Sequence, residues 1–508
     1  MKTTFYKFST AIIAFSVALT SCTKDFTAVN TDPNNTPHAL PQQLLAPALA
    51  STLNYNLIRN RNVNNELMQV TVDMGDGQGQ VFRYDIRDNV SDYLYNGWFT
   101  DLTNYKDLYT TASDSLTLNT SYMGISQICQ AWVYSMLTDT YGDVPYFHSN
   151  EGRDSLNFTP AFDKQQDIYR DIFKRLDAAD TLLKKGTAIV PNSDPVYNGD
   201  VSKWRKLGNT LYLRMLLRIS GKKDVADSSI KTIQSRIADT VNHPIMTSNA
   251  ESAILKWTGG ALVSPYVSVR AQDFRAPAIC SFFIDHLATW SSPFIDIPTY
   301  GTNGVCRWGI APAAGNFIGV PSGYSPGTGA PKGAYFYATD QTVNSTVPLT
   351  LQTDPNTGII MTYSELNFII AECIAKGWIA GKAGDYYNAG IQSCITQWIP
   401  TWNKKITDYT TAADITWDDA AALDKKMEMI HLQKYYTLFL TDMEQWFEYR
   451  RTGHPVLPKG AGLQNGGVMP ARLKYPVYIQ STNPTNYKAA VAAQGTDAIS
   501  TQVWWQKP

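Results

Sequence analysis

Apolar positions along this chain recur at helical spacing over several long stretches. In residues 159–186, "TPAFDKQQDIYRDIFKRLDAADTLLKKG", the side chains of Ile168, Ile172, Leu176 and Leu183 fall on one face with charges between them, the spacing of an amphipathic helix. Thr159 suits the cap, Pro160 the first helical position and Gly186 the residue just past the end. The stretch "SKWRKLGNTLYLRMLLRISG" repeats the pattern with Trp204, Leu207, Leu211 and Met215, with Ser202 placed to cap it and Gly221 to stop it. A third helix, "ICQAWVYSMLTDTYG", ends at Gly142, and helical signals begin near Pro41. Residues 363–398 read as two helices joined at a Gly377–Gly384 turn, with Ala371 and Ala389 small enough for close packing. The spacing of this pair approaches that of a tetratricopeptide unit. "MEMIHLQKYYTLFLTDMEQWFEYRRTG" reads as one further helix that stops at Gly453.

Residues 259–358 break the pattern. They are dense in Gly, Pro, Ser and aromatics, and nothing in them keeps a helical period. A stretch of that length is either disordered or functional. Disordered segments are poor in aromatics, whereas this one carries Tyr300, Trp308, Phe317, Tyr324, Tyr335, Phe336 and Tyr337. It is therefore expected to be an ordered, loop-rich lobe.

The start of the chain is different again. Lys2 and Lys7 precede an apolar run from Phe8 to Leu19, too short for a spanning helix, which needs about 20 apolar residues. A basic start, an apolar middle and small residues before a cut site describe a secretory signal peptide. Leu19-Thr20-Ser21-Cys22 resembles the bacterial lipobox, which implies cleavage before Cys22 and acylation of its thiol; Lys24-Asp25 follow. Three acyl chains at about 0.8 kcal/mol per buried CH₂ hold a soluble body without a spanning helix. The polar residues after Cys22 read as a tether, and no later segment reaches 18 consecutive apolar residues.

A net charge of −1 with 17% charged residues leaves no basic face for nucleic acid. After Cys22, five cysteines remain (Cys129, Cys280, Cys306, Cys373 and Cys394), an odd number without metal-ligand spacing. Gly323-Tyr324-Ser325-Pro326-Gly327 fits the nucleophile-elbow string, but the motif needs a strand before and a helix after. Its flanks here hold Pro and Gly, so a turn is expected. "DMGDGQ" begins like a calcium loop, yet position 12 counted from Asp73 is Tyr84 and not the required Glu; a looser calcium contact through Asp73 and Asp76 stays open. No zinc-hydrolase His-Glu-x-x-His string occurs. No catalytic, cofactor or metal site is therefore expected. Aromatic density in loops does stand out. Residues 81–105 bring Tyr84, Tyr93, Tyr95 and Trp98 together with Arg83, Asp92, Asn96 and Asp101. Flat rings take the C–H faces of sugars, and such polar neighbours take their hydroxyls. Trp98 read alternatively is a core plug at a helix entry.

Taken in order, several segments resemble the SusD/RagB family of nutrient-binding outer-membrane lipoproteins, most closely its second SusD-like branch. These are the lipobox, "VNTDPNN", "LTDTYGDVPY", "TPAFDKQQDIYRDIFKRLDAAD", "DPVYNGDVSKWRKLGNTLYLRMLLRIS", "QWFEYRRTGHP", "RLKYPVYIQSTNPTNYKAAV" and the terminal "VWW". The resemblance covers nearly the whole chain. It implies an all-α fold of tetratricopeptide-like helical repeats supporting a loop-rich ligand-binding lobe. It also implies a lid on a TonB-dependent, SusC-like outer-membrane transporter, on the extracellular face. In "QWFEYRRTGHP" it implies a structural role, with Arg450 and Arg451 pairing with carboxylates and capping the last helix of the bundle. One departure from the family is Ser292-Pro293-Phe294, where relatives often carry Asp-Pro-Arg after the helix that follows Asp273-Phe274-Arg275.

The expected organisation is a signal peptide (1–21), a lipidated tether (22–40), a helical region with ligand loops (41–258), the loop-rich lobe (259–358) and C-terminal helical repeats with a tail (359–508), residues 22–508 forming one compact domain. The expected function is non-enzymatic: capture of an oligosaccharide at the cell surface and its delivery to the transporter. Peptide capture, a structural lid with little binding of its own and a surface hydrolase are the alternatives. The ligand-binding residues expected are Arg83, Trp98 and Asp101 from the first loop region and Tyr300, Trp308 and Tyr324 from the lobe.

Overall fold

The computed structural model describes residues 39–339 and 350–507. The signal segment, Cys22, Lys24-Asp25 and all but the end of the tether lie outside the described residues. Pro41–Pro508 forms one compact unit with a single continuous hydrophobic core, and among the described residues no helix is long and apolar enough to cross a membrane.

Helices build the scaffold. In chain order they are α1 (Pro41–Arg59), α2 (Val90–Ser113), α3 (Thr120–Tyr141), α4 (Gln165–Leu183), α5 (Val201–Ile219) and α6 (Ala226–Ala238). Each packs on the next; the connections from α2 to α3 and from α5 to α6 are short, and the others are long loops. In α4 the expected face is the buried one: Ile168, Ile172, Leu176 and Leu183 are all inside. The start differs, because α4 begins at Gln165 and not at Pro160. Residues 159–164 stay extended since Asp163 bridges to Val144 and its carboxylate accepts the amides of Tyr146 and Phe147. In α5 the cap is Asp200, which accepts the Ser202 and Lys203 amides, two residues earlier than expected. The α3 end at Gly142 stands, with φ +83°.

The C-terminal block holds α8 (Tyr363–Ala375) and α9 (Ala383–Trp398), joined across the expected Gly377–Gly384 turn. Their closest approach falls at Gly390, where a Cβ would lie 2.7 Å from the Phe368 ring. The single helix expected to end at Gly453 is two, α10 (Leu423–Thr437) and α11 (Glu444–Thr452). Leu440 and Asp442 between them have φ of +69° and +30°. Asp442 is held there by Asn60 Nδ2, which donates to its carbonyl at 2.7 Å, and by Trp132 Nε1 on its carboxylate at 3.3 Å.

Buried ion pairs tie these helices together. Arg214 of α5 grips Glu365 of α8 at 2.7 and 2.5 Å, and Arg218 pairs with Glu444 of α11. Lys434 meets Glu448 at 2.6 Å. Arg451 meets Glu372 twice at 2.7 Å and Glu448 at 2.8 Å. The arginine of the "QWFEYRRTGHP" segment that pairs with carboxylates is thus Arg451. Arg450 reaches the carbonyls of Asp139 and Ala471 instead, so the helix end it covers is that of α3. Buried Asn56, Asn60 and Asn64, one turn apart along α1 and its π-helical extension (Asn60–Asn64), donate to or accept from Met136, Trp98, Asp442, Gln445 and Trp446. A π-helical turn resets the face of a helix; here the row runs from α2 and α3 at Asn56, through Asp442 at Asn60, to α11 at Asn64.

The lobe is loop-rich as expected, but it contains helix: Ser281–Thr289 forms α7, between α6 and α8, and Ala271–Arg275 and Ile297–Tyr300 form short helices. Phe282, Phe283, Ile284 and Leu287 are buried while Asp285, Ala288 and Thr289 are exposed, but nine residues are too few for that period to stand out in the sequence. There are three two-stranded antiparallel ladders among the described residues, two joining the lobe to the chain outside it and the third within the lobe. They are β1 (Thr71–Val72) with β3 (Ala278–Ile279), β2 (Ala253–Leu255) with β6 (Gly358–Met361), and β4 (Ile310–Ala311) with β5 (Tyr335–Phe336). Ladders this short cannot stand alone; they fix loop ends against helices.

Candidate functional site

Directly after β1 the chain runs through a polar, glycine-rich loop, Asp73 to Gln80, and a 3₁₀ turn, Val81–Arg83. Asp73 Oδ1 accepts the Gly75 amide, and Asp85 Oδ2 accepts the amide of Gly79. Tyr84, at φ +62°, closes the turn in the left-handed region. Beneath it, Glu66 accepts the Phe82 amide at 3.3 Å. Burial, reinforced by Asp73, pushes the Glu66 carboxyl up to about 8.

Arg83 organises what lies above. Its Nη2 donates to Asp76 Oδ1 and its Nε to the Tyr324 carbonyl, both at 2.8 Å. The guanidinium lies 4.7 Å from the Phe82 ring centre and 4.8 Å from that of Tyr324, within cation–π range. Asp76 Oδ2 accepts the Gly327 amide at 3.1 Å. A third segment closes the cluster from the C-terminal side. The Gln464 amide donates to the Arg83 carbonyl, the Gly462 amide to that of Gly323, and a Cβ at Gly460 would lie 2.2 Å from the Gly323 oxygen. Gly323 to Gly327 is a turn, with φ of +66° and +78° at its two glycines.

The cluster is buried on one side and open on the other. The Arg83 side chain is 3% exposed and that of Asp76 49%, while the Tyr324 ring is half-buried. The hydrogen bond from Arg83 holds the Asp76 carboxyl below the usual carboxylate range, and burial raises the Tyr324 phenol. An amphipathic ring beside a fixed, ionised carboxylate offers a stacking face and a hydroxyl acceptor side by side. Because Asp76 already has a cation and an amide on its two oxygens, the calcium reading of "DMGDGQ" has no support from this geometry.

Of the six expected ligand residues, the structure brings Arg83 and Tyr324 together. Trp98 is corrected: it is fully buried, its Nε1 donates to Asn56 Oδ1 at 2.8 Å, and no ring face reaches solvent. Its sequence neighbours Leu94, Leu102 and Tyr105 share that buried face of α2. Asp101 is likewise fully buried; burial pushes its carboxyl up to about 7, against the pull of the adjacent Ser51 and Thr52 side chains. Trp308 is also corrected. Phe294 stacks on it with ring centres 3.9 Å apart and planes 7° apart, and Phe439 and Phe283 cover it further. The departure from the family string at Ser292-Pro293-Phe294 thus supplies the ring that closes Trp308 off. Tyr300 is half-buried at the end of the short helix Ile297–Tyr300, and no hydrogen bond, ion pair or ring contact joins it to the Arg83 cluster among the described residues. Asp76 and Phe82 were not singled out as ligand residues. The Asp and Gly alternation of "DMGDGQ" was the one signal for them.

One other cluster has ligating side chains. Glu372, His431 and Glu448 lie close enough to hold a metal ion. Arg451 and Lys434, however, already stand between these carboxylates as their cations, so a dication would meet two positive charges there. The five described cysteines are free and buried.

A family model for SusD-like proteins, described as starch-binding associating with outer membrane, matches residues 33–476. Among solved structures, a chitin-binding protein aligns at 26% identity over 92% of this chain and 99% of its own, with a TM-score of 0.72. A chitin-binding SusD homologue from Flavobacterium johnsoniae aligns at 19% identity over 92% of this chain and 98% of its own, with a TM-score of 0.75. A SusD homologue from Bacteroides fragilis aligns at 23% identity over 92% of this chain and 100% of its own, with a TM-score of 0.73. The last two share the fold. No curated protein sequence matches the chain.

Proposed function

This chain belongs to the SusD-like family of starch-binding proteins that associate with the outer membrane, and from that premise we propose that it captures an oligosaccharide outside the cell and passes it to a TonB-dependent, SusC-like transporter. The observation that carries this reading is the Arg83–Asp76–Tyr324 cluster. There an amphipathic ring and an ionised carboxylate are held open to solvent by an arginine that is itself locked on its buried side. A sugar ring stacked on Tyr324 places a hydroxyl near Asp76, a charge-assisted contact. The cluster draws on three distant stretches of chain, so it is set before a ligand arrives. The chitin-binding structure at 26% identity makes chito-oligosaccharides the first glycans to try.

Nothing in the reading asks for a reaction. The carboxylate, ring and guanidinium of the cluster suit recognition, and the protein acts as a binding protein and not an enzyme. Cys22 anchors it by acylation, and Lys24-Asp25 directs it to the extracellular face. A peptide ligand and a transporter lid without binding of its own remain as outcomes of the test. Titration calorimetry of the chain lacking residues 1–22 against glycan and peptide panels decides among them. Heat from glycans is expected. Heat from peptides alone, or from neither panel, contradicts the reading.

A further inference from the structure

We propose that the cleft between α2, α3 and α4 is a second binding site, which takes an acidic sugar with its carboxylate on Lys106 and Arg175. The cleft encloses about 360 Å³ and is open to solvent on one side, a size that suits a small saccharide. Lys106 and Arg175 both line it, and behind them lies the buried Tyr134 ring, with the Lys106 ammonium 5.9 Å and the Arg175 guanidinium 6.0 Å from the ring centre. Two cations therefore face one ring.

The acids around the cleft are already matched. Asp107 and Asp154 share Arg153, Glu151 receives His148 and Asn157, and Asp171 receives Arg175 and the Tyr146 hydroxyl. Lys106 is the cation left over. It donates to the Ser149 carbonyl at 2.6 Å and hydroxyl at 3.1 Å, and no carboxylate lies within ion-pairing distance of it among the described residues. Burial, with Arg175 adding to it, pushes its ammonium down to about 8. A carboxylate bound there would remove that strain. The Oε1 atoms of Gln127 and Gln130 accept from Arg175 Nη1 at 3.2 and 3.0 Å; the Gln130 amide is spent on Ser126 Oγ, and that of Gln127 is left to donate to a sugar hydroxyl. This site shares no residue with the Arg83 cluster, and its ligand is anionic where the proposal above needs none.

The full mature chain is titrated with D-glucuronate, D-glucose and sodium acetate, read by NMR of ¹³C-methylated lysines. The Lys106 resonance should move with glucuronate, and its titration should shift upward in pH. Glucose and acetate should bind at least tenfold more weakly. Lys106→Met, with an unchanged melting temperature, should weaken glucuronate at least tenfold, and Gln127→Ala should weaken it without removing the Lys106 signal. Tyr324→Ala should leave it unchanged. Equal binding of glucose, equal binding of acetate, or full affinity in both Lys106→Met and Gln127→Ala would overturn the site.

Discussion

Two arginines in this protein do the same chemistry in opposite surroundings. Arg451 sits among α8, α10 and α11 with Glu372 and Glu448, and all three side chains are buried. Arg83 sits in the loop cluster with a buried guanidinium, but its partner Asp76 is half in water. Around Arg451 each charge is spent on another part of the chain, and against the cost of burial the carboxyls are held well below their usual range, Glu372 by Arg451 and Lys376 and Glu448 by Arg451 and Lys434. Around Arg83 the inner side is equally committed, while a carboxylate and part of the Tyr324 ring are left outside. A salt bridge closed on both sides locks helices. One closed on a single side presents a rigid surface that a ligand can use.

The comparison breaks most visibly at Arg451. Arg451→Ala takes a cation from two buried carboxylates, leaving Glu372 to Lys376 and Glu448 to Lys434, and removing one partner of a buried pair costs about 3–5 kcal/mol; thermal denaturation should show a large loss of stability with any residual folded protein still able to bind glycan. Trp98→Ala should be nearly as costly, about 3–5 kcal/mol for a buried aromatic, again read by denaturation. If Trp98 were a ligand platform, affinity would fall and stability would not.

Glu66, under the loop cluster, gives a pH signature. Burial pushes its folded carboxyl up to about 8 from the ordinary 4.5, so between those values the folded state binds more protons than the unfolded one. Stability from this group is therefore full below about pH 4.5 and is lost as pH rises toward 8. Glu66→Gln keeps an acceptor for the Phe82 amide and removes the charge. Its stability relative to the parent should climb across that window and level off above it, as followed by denaturant midpoints at several pH values; a flat difference would contradict the buried acid. Asp76→Asn should be the mildest change, within about 1 kcal/mol of stability because the pair is half exposed, yet it should weaken glycan binding measurably by calorimetry.

The scaffold was legible in the sequence wherever a helix has one wet face. Ile168, Ile172, Leu176 and Leu183 mark α4 because charges separate them. Legibility stopped where burial is all-round or where contacts are distant. The break between α10 and α11 carries no Gly or Pro; Asn60 and Trp132, hundreds of residues upstream, impose it through Asp442. At Trp98 a signal was present, since Leu94, Leu102 and Tyr105 recur at helical spacing with it. At Trp308 there was none, because the ring that hides it, Phe294, is fixed by the path of a loop. Arg83 and Tyr324 were both picked out for their type, but their meeting depends on segments 241 residues apart.

The central claim, that the open side of the Arg83 cluster binds a glycan, is tested most directly at Tyr324. Its side chain is half-buried and its carbonyl, which survives substitution, is what Arg83 holds. Calorimetric titration of the parent and Tyr324→Ala with the tightest glycan of the panel, at matched melting temperatures, should show at least a tenfold loss of affinity, on the order of the 1–3 kcal/mol that alanine substitution of a stacking aromatic costs for nucleic-acid bases. Unchanged affinity in a folded Tyr324→Ala would contradict it.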